Sequence, residues 1–346
     1  MAASESNVRP PMPLGSVAPR VPSPRNPSPS GRLPEYAVEI AGLAKTYGAR
    51  RRQAAKVALA GIDLQVPRGS LFGLLGPNGA GKSTMINILA GLVAKSAGRV
   101  TIWGYDIDRF PLHARQAIGV VPQELHMDPF FSPREALELH AGLFGVPPAA
   151  RRTDEILAAL GLADKADAYA RSLSGGMRRR LLIGKALVHN PPVLVLDEPT
   201  AGVDVELRQQ LWSYVRTLAA RGTTVLLTTH YLEEAETLCD RIAIIDRGQV
   251  VACDTTAALV RRLDRKTLVI IVADRLPALP PGLAALGGEL LDPCRIAFLY
   301  QPSRTRVQDL LAAVQAAGLA VADLTTEEGT LEDAFLALTR PLGAAA

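Results

Sequence analysis

Leu71-Phe72-Gly73-Leu74-Leu75-Gly76-Pro77-Asn78-Gly79-Ala80-Gly81-Lys82-Ser83-Thr84 is the stretch that decides how the rest of this chain is read. Its first five residues form an apolar run of strand length, and Lys82–Ala90 has the texture of a helix. Between them, Gly76 to Ser83 fits GxxxxGK[ST], a glycine-rich turn that joins a strand to a helix. Glycines let the backbone curl with its N–H groups pointing inward, and the helix start adds a dipole that favours an anion. Gly76, Asn78, Gly79, Ala80 and Gly81 are therefore read as a phosphate cradle. Lys82 would neutralise the outer phosphates, Ser83 would reach a divalent cation, and Thr84 would stand by as a second hydroxyl. A glycine turn serving only the chain reversal would leave Lys82 aimed into an empty nest of donors.

Working outward, strand-like runs alternate with helical patterns and Gly/Pro turns from about Tyr36 to Leu263. Val38–Ala44, Val57–Val66, Ser70–Leu75, Val193–Asp197, Thr224–Thr229 and Ile242–Asp246 read as strands. Such alternation predicts an α/β domain with a largely parallel sheet. Between about residues 124 and 176 the pattern is mostly helical, over Pro133–Phe144, Arg152–Leu160 and Asp164–Leu173, so this block is expected to be an inserted helical subdomain. Past Asp264 the texture shifts to a strand at Thr267–Ala273 and helices at Arg306–Ala317 and Leu331–Thr339, which predicts a small α/β appendage. The expected divisions are a Pro-rich tail over 1–34, a main domain over 35–264 and an accessory domain over 265–346. Nine prolines within the first 34 residues, with little apolar content, favour disorder for the tail.

Composition limits the classes open to the chain. No run approaches the roughly 18 apolar residues that a membrane-crossing helix needs, and Met1–Pro34 lacks the apolar segment of a secretory signal. Three cysteines, Cys239, Cys253 and Cys294, are odd in number and far apart, which argues against a disulfide framework or a zinc site and fits a reducing compartment. A net charge of +4 permits contact with an acidic membrane surface but does not call for nucleic acid, and none is expected as a partner.

A second motif completes the chemistry. Val193-Leu-Val-Leu-Asp197-Glu198 is an apolar strand ending in two adjacent carboxylates. An interior strand would deliver Asp197 beside the phosphate loop to hold Mg²⁺, and Glu198 is placed to polarise an attacking water as general base. Leu173-Ser-Gly-Gly176-Met177 lies at the start of a helix, with Ser174 23 residues before Asp197. Gln123 sits in Val120-Val-Pro-Gln-Glu, Asp204 closes Ala201-Gly-Val-Asp, His230 ends Thr228-Thr-His, and Tyr47 lies in Ala44-Lys-Thr-Tyr-Gly.

In that order the motifs resemble an ABC-type P-loop ATPase: phosphate loop, glutamine loop, LSGG signature, carboxylate strand and switch histidine. The likeness covers about Tyr36 to Leu263. It implies ATP and Mg²⁺ as cofactors, with Ser83, Gln123 and Asp197 at the metal and Glu198, His230 and Gln123 in catalysis. It implies that Tyr47 stacks on adenine, although the insertion carrying Arg50-Arg51-Arg52-Gln53 follows it closely. Ser174, Gly175 and Gly176 would meet ATP held by a second copy in a head-to-tail homodimer, and Asp204 would couple the two sites. Met177 in place of the more usual Gln, Thr200-Ala-Gly-Val-Asp204, His230-Tyr-Leu-Glu-Glu-Ala-Glu236 and Gly329-Thr-Leu-Glu-Asp-Ala-Phe335 resemble the ABC-2 type exporter branch.

The resemblance therefore implies an ATPase coupled to transmembrane export. It would sit at the cytoplasmic face of the membrane through a separate polytopic permease. Met127, Phe130 and Phe131 are candidates either for that contact or for packing within the helical block. The alternatives are a soluble ABC ATPase of translation or DNA repair, or an importer ATPase. The first usually carries two ATPase modules, a long coiled coil or paired cysteines, none of which is visible here. The second typically has a longer, β-rich extension.

Overall fold

The computed structural model describes residues 31–48, 55–124, 127–200, 203, 205–229, 231–262 and 264–339. The elements of its first part are β1 (Tyr36–Tyr47), β2 (Lys56–Pro67), β3 (Leu71–Leu75), α1 (Lys82–Leu89), β4 (Ala97–Ile102), β5 (Tyr105–Asp106), α2 (Pro111–Gln116) and β6 (Ile118–Val121). A helical stretch follows with α3 (Pro133–Leu143), α4 (Thr153–Ala159) and α5 (Gly175–Leu187). The chain then returns through β7 (Val193–Asp197), α6 (Val205–Ala220), β8 (Thr224–Thr228), α7 (Leu232–Leu238), β9 (Arg241–Asp246) and β10 (Gln249–Thr255). Beyond these lie α8 (Thr256–Arg261), β11 (Lys266–Val272), α9 (Pro281–Ala285), β12 (Gly288–Asp292), β13 (Arg295–Tyr300), α10 (Val307–Ala316), β14 (Val321–Glu328) and α11 (Leu331–Thr339).

The chain divides into two compact units, Met1–Val250 and Val251–Ala346. In the first, an antiparallel sheet runs β2-β1-β4-β5, and a second sheet carries the strands β9-β3-β8-β7-β6 in that order. The ladders joining β9, β3, β8, β7 and β6 are parallel. Every residue of β3, β7 and β8 is buried. Strands covered on both faces need continuous apolar runs, and Leu71–Leu75 and Val193–Leu196 supply them without alternation. In β1, by contrast, buried and exposed positions interleave, as an antiparallel strand with one wetter face requires.

Local chemistry sets the helices of the inserted block. Ser132 and Glu135 form a reciprocal capping box at the start of α3, and Pro133 occupies the first turn, where its missing N–H costs nothing. One expectation is corrected here: Asp164–Leu173 is not a helix. It holds two short 3₁₀ turns, Ala163–Lys165 and Ala170–Ser172. Its apolar residues Ala166, Ala170 and Leu173 are buried at near-helical spacing, but the segment is only two isolated turns, too short to repay helix nucleation.

In the second unit the antiparallel order is β12-β13-β11-β14. Leu268, Ile270, Val272, Ile296, Phe298 and Tyr300 on its inner face pack with Leu283, Leu310 and Val314 into a separate core. The three cysteines are free thiols, and burial pushes the Cys239 thiol up to about 12. Among the described residues no helix is long and apolar enough to cross a membrane.

Candidate active site

The site lies at the carboxyl ends of the parallel strands, the edge at which open α/β sheets present their ligand crevices. Thr228 at the end of β8 is level with Leu74 of β3 on one side and Asp197 of β7 on the other. This register brings the phosphate loop after β3 and the carboxylates after β7 to the same edge, although 115 residues separate Lys82 from Asp197 in sequence.

Packing accounts for Gly76 and Gly81 of the loop. A Cβ on Gly76 would lie 2.2 Å from the carbonyl oxygen of Ile245 in β9. Gly81 has φ +112°, and a Cβ there would meet the Ala58 carbonyl oxygen and Leu59 Cδ2, both at 2.7 Å. Only glycine satisfies both the left-handed backbone and the close approach of β2. Ala80 is buried, Asn78 and Gly79 are exposed, and Ser83 and Thr84 stand exposed and half-buried on the first turn of α1. Lys82 is only 7% exposed. Its Nζ donates to the carbonyls of Gly76 at 2.6 Å and Pro77 at 3.1 Å. Burial lowers the Lys82 pKa, while the charges of Glu198 and Asp197 pull it back up.

The carboxylates are held from behind. Thr228 Oγ1 donates to Asp197 Oδ1 at 2.6 Å and accepts from the Glu198 N–H at 2.9 Å. Asp197 is 8% exposed, and burial raises its pKa against the opposing pull of the Thr228 bond, with Glu198 adding to the rise and Lys82 and Arg179 reducing it. Glu198 has φ +46°, a left-handed backbone that a side chain this long adopts only when its surroundings enforce it. Gln123 Nε2 donates to Glu198 Oε2 at 3.0 Å, so these two side chains meet directly.

Tyr47 ends β1, 41% exposed, with the Lys45 ammonium 4.8 Å from its ring centroid. Its ladder partner Lys56 is two residues ahead of Ala58, whose carbonyl backs Gly81. Ser174 caps α5 by accepting from the Met177 N–H at 3.2 Å, with Gly175 exposed and Gly176 half-buried beside it. Among the described residues no hydrogen bond links Ser174, Gly175 or Gly176 to the phosphate loop. Asp204 and His230, and the Arg50–Gln53 insertion, lie outside the described residues.

Two supporting residues carry no functional signal in the sequence. In the sequence Thr228 is one residue of the strand Thr224–Thr229 with no signal of its own; the ladder sets it beside Asp197. Glu234, buried on α7, accepts from Thr200 Oγ1 at 3.0 Å and Thr229 Oγ1 at 2.9 Å, joining the segment after β7 to the segment after β8. Spacing carried no signal for it, because 34 residues separate its partner Thr200 from it.

A glycine loop followed by a buried lysine, joined at one sheet edge to paired carboxylates and a glutamine, defines an ABC-type ATPase cassette. The chain belongs to that family: residues 59–201 match the family described as ABC transporter. It is 41% identical over 314 residues to the daunorubicin resistance ATP-binding protein DrrA3 of Streptomyces coeruleorubidus, an alignment covering 89% of this chain and 97% of the relative. It is 38% identical over 312 residues to the Nod factor export ATP-binding protein I of Ralstonia nicotianae, covering 89% and 95%. A solved ATP-binding cassette, captured as a dimer in a post-hydrolysis state with ADP and Pi, matches with a TM-score of 0.56 at 28% identity, over 63% of this chain and 98% of that one. The chain is an ATPase of the ABC-2 type exporter branch, and the likeness of the first two relatives extends well past the cassette into the second unit.

Proposed function

We propose that this chain energises export of a substrate through a separate polytopic permease, at the cytoplasmic face of the membrane, by closing with a second copy over ATP. In this reading the backbone N–H groups from Gly76 to Ser83 and the Lys82 ammonium hold the β- and γ-phosphates. The residues fit a magnesium nucleotide: Asp197 is a desolvated carboxylate whose charge a cation would stabilise, and the Ser83 hydroxyl is exposed on the same sheet edge. Ser83, Gln123 and Asp197 would hold the Mg²⁺, which when bound offsets the negative charge that builds on the phosphate oxygens.

Glu198 takes a proton from the attacking water, with its carboxylate oriented by the Gln123 amide. Tyr47 stacks on the adenine, His230 contacts the γ-phosphate, and Asp204 couples the two sites. Ser174, Gly175 and Gly176 offer a helix N-terminus and a hydroxyl to the γ-phosphate held by the other copy. ATP thus bridges two copies and hydrolysis releases them, a two-state element that can drive a partner. Residues 265–346 form the accessory domain. Phe130, 70% exposed on the loop before α3, supports the permease contact over internal packing, and Phe131 is also exposed.

The observation that carries the reading is the single Thr228 hydroxyl holding both Asp197 and the Glu198 backbone beside a phosphate loop. The alternative in translation or DNA repair has no such support, since the relatives above are named for resistance and export. The test is a pull-down of tagged Glu198→Gln protein with ATP from detergent-solubilised native membranes. A stoichiometric polytopic membrane protein is expected; recovery of ribosomes, nucleic acid or soluble proteins alone would overturn the assignment.

A further inference from the structure

Three consecutive arginines follow the signature, and only one leaves its own neighbourhood. Arg178 Nε donates to the Leu173 carbonyl at 3.0 Å, and Arg180 Nη1 donates to the Leu160 carbonyl at 2.7 Å, both within the helical block. Arg179 points inward from α5 and is 5% exposed. Its Nη1 donates to the carbonyls of Pro122 at 3.1 Å and Gln123 at 2.8 Å. Its Nε has no hydrogen-bond partner among the described residues. The Asp197 charge favours its ionised form from farther away, against burial that opposes it.

A cation this deep is costly to keep, and here it is spent on two successive main-chain carbonyls. Those carbonyls belong to the segment whose Gln123 side chain holds Glu198 Oε2. A continuous path therefore runs from α5 through the guanidinium to the Gln123 backbone, and from the Gln123 amide to Glu198. Ser174 caps the same helix, five residues or about 7.5 Å of helix rise from Arg179. A helix held by main-chain bonds shifts as a rod, so a change in seating at its Ser174 end is felt at Arg179.

We propose that Arg179 is a positioning residue that ties the seating of α5 to the aim of the Gln123 amide, and through it to the Glu198 carboxylate. This rests on the reading of Glu198 as the base. Arg179 touches neither the phosphate loop nor Glu198, so its contribution passes through Gln123 and appears in turnover rather than in nucleotide binding.

The experiment compares Arg179→Met, Arg179→Lys, Gln123→Ala, the Arg179→Met/Gln123→Ala double variant and Glu198→Gln in the full chain, reading ATPase kcat, KM for ATP and the thermal unfolding midpoint. Arg179→Met is expected to lower kcat about 10- to 50-fold with KM within about threefold. Lysine keeps a charge and three donors, so Arg179→Lys should return kcat to within about threefold of wild type. On the Gln123→Ala background, Arg179→Met should cost less than about twofold further. Losses that multiply in full, or a raised KM with unchanged kcat, would overturn the proposal. If Arg179→Met does not fold, Arg179→Gln takes its place in the same cycle. Turnover persisting in Glu198→Gln would sink the base assignment itself; an inactive Glu198→Gln with independent Arg179 and Gln123 losses would sink only the coupling.

Discussion

Replacing Thr228 by valine removes one hydroxyl while keeping the branched shape that β8 buries. Two interactions change. The bond from Oγ1 to Asp197 Oδ1, 2.6 Å long, goes to a buried carboxylate, and such a bond is worth about 1.5–3 kcal/mol. The Glu198 N–H loses the same hydroxyl at 2.9 Å but keeps the Thr228 carbonyl at 3.1 Å, so its share is small. Folding stability is expected to drop by about 1.5–3 kcal/mol. The Asp197 pKa should climb further, because burial already raises it and the Thr228 bond is the main opposing effect. Expressed wholly in the transition state, the same energy is about a 10- to 150-fold loss in kcat. Urea unfolding and steady-state hydrolysis of the full chain read the two quantities, and Thr228→Ser, which keeps the hydroxyl, should restore most of both. A Thr228→Val chain with unchanged urea midpoint and turnover would refute the claim that this hydroxyl holds the carboxylates.

Glu198→Gln should abolish turnover yet keep ATP binding and accumulate an ATP-bound dimer, visible by size-exclusion chromatography; hydrolysis near the wild-type rate would remove Glu198 as the base. Gly175 has open space around its Cβ position, so Gly175→Ala should leave the thermal midpoint nearly unchanged while weakening the ATP-dependent dimer, and an equal loss of monomer nucleotide affinity would mean the signature binds within its own chain. Gly76→Ala drives a methyl to 2.2 Å from the Ile245 carbonyl, so a loss of about 1–3 kcal/mol in urea unfolding is expected, as in other overpacked cores. Burial lowers His189 and His140 to about 4, with Lys185 adding to the fall at His140. Both stay neutral in the folded chain while the unfolded chain protonates them, so stability is complete above about pH 6.5 and declines as pH falls toward 4. His189→Gln should flatten that decline in a pH series of urea midpoints; an unaltered slope would remove His189 as its source.

The motif spellings alone determined the class of chemistry and the strand–loop–helix around Gly76–Ser83, since glycine freedom, lysine charge and strand-length apolar runs act over a few residues. Strand identity for Leu71–Leu75, Val193–Asp197 and Thr224–Thr228 was legible for the same reason: parallel strands buried on both faces must be continuously apolar. The Asp164–Leu173 helix was misread because periodicity does not distinguish two short 3₁₀ turns from one helix. Thr228 beside Asp197, Gln123 on Glu198, Arg179 under Pro122 and Gln123, and Glu234 between Thr200 and Thr229 were decided only by the tertiary structure. Each joins segments whose distance in sequence says nothing of their distance in space. Sheet order β3-β8-β7 and the packing of α5 set which hydroxyl, amide or guanidinium faces which carboxylate.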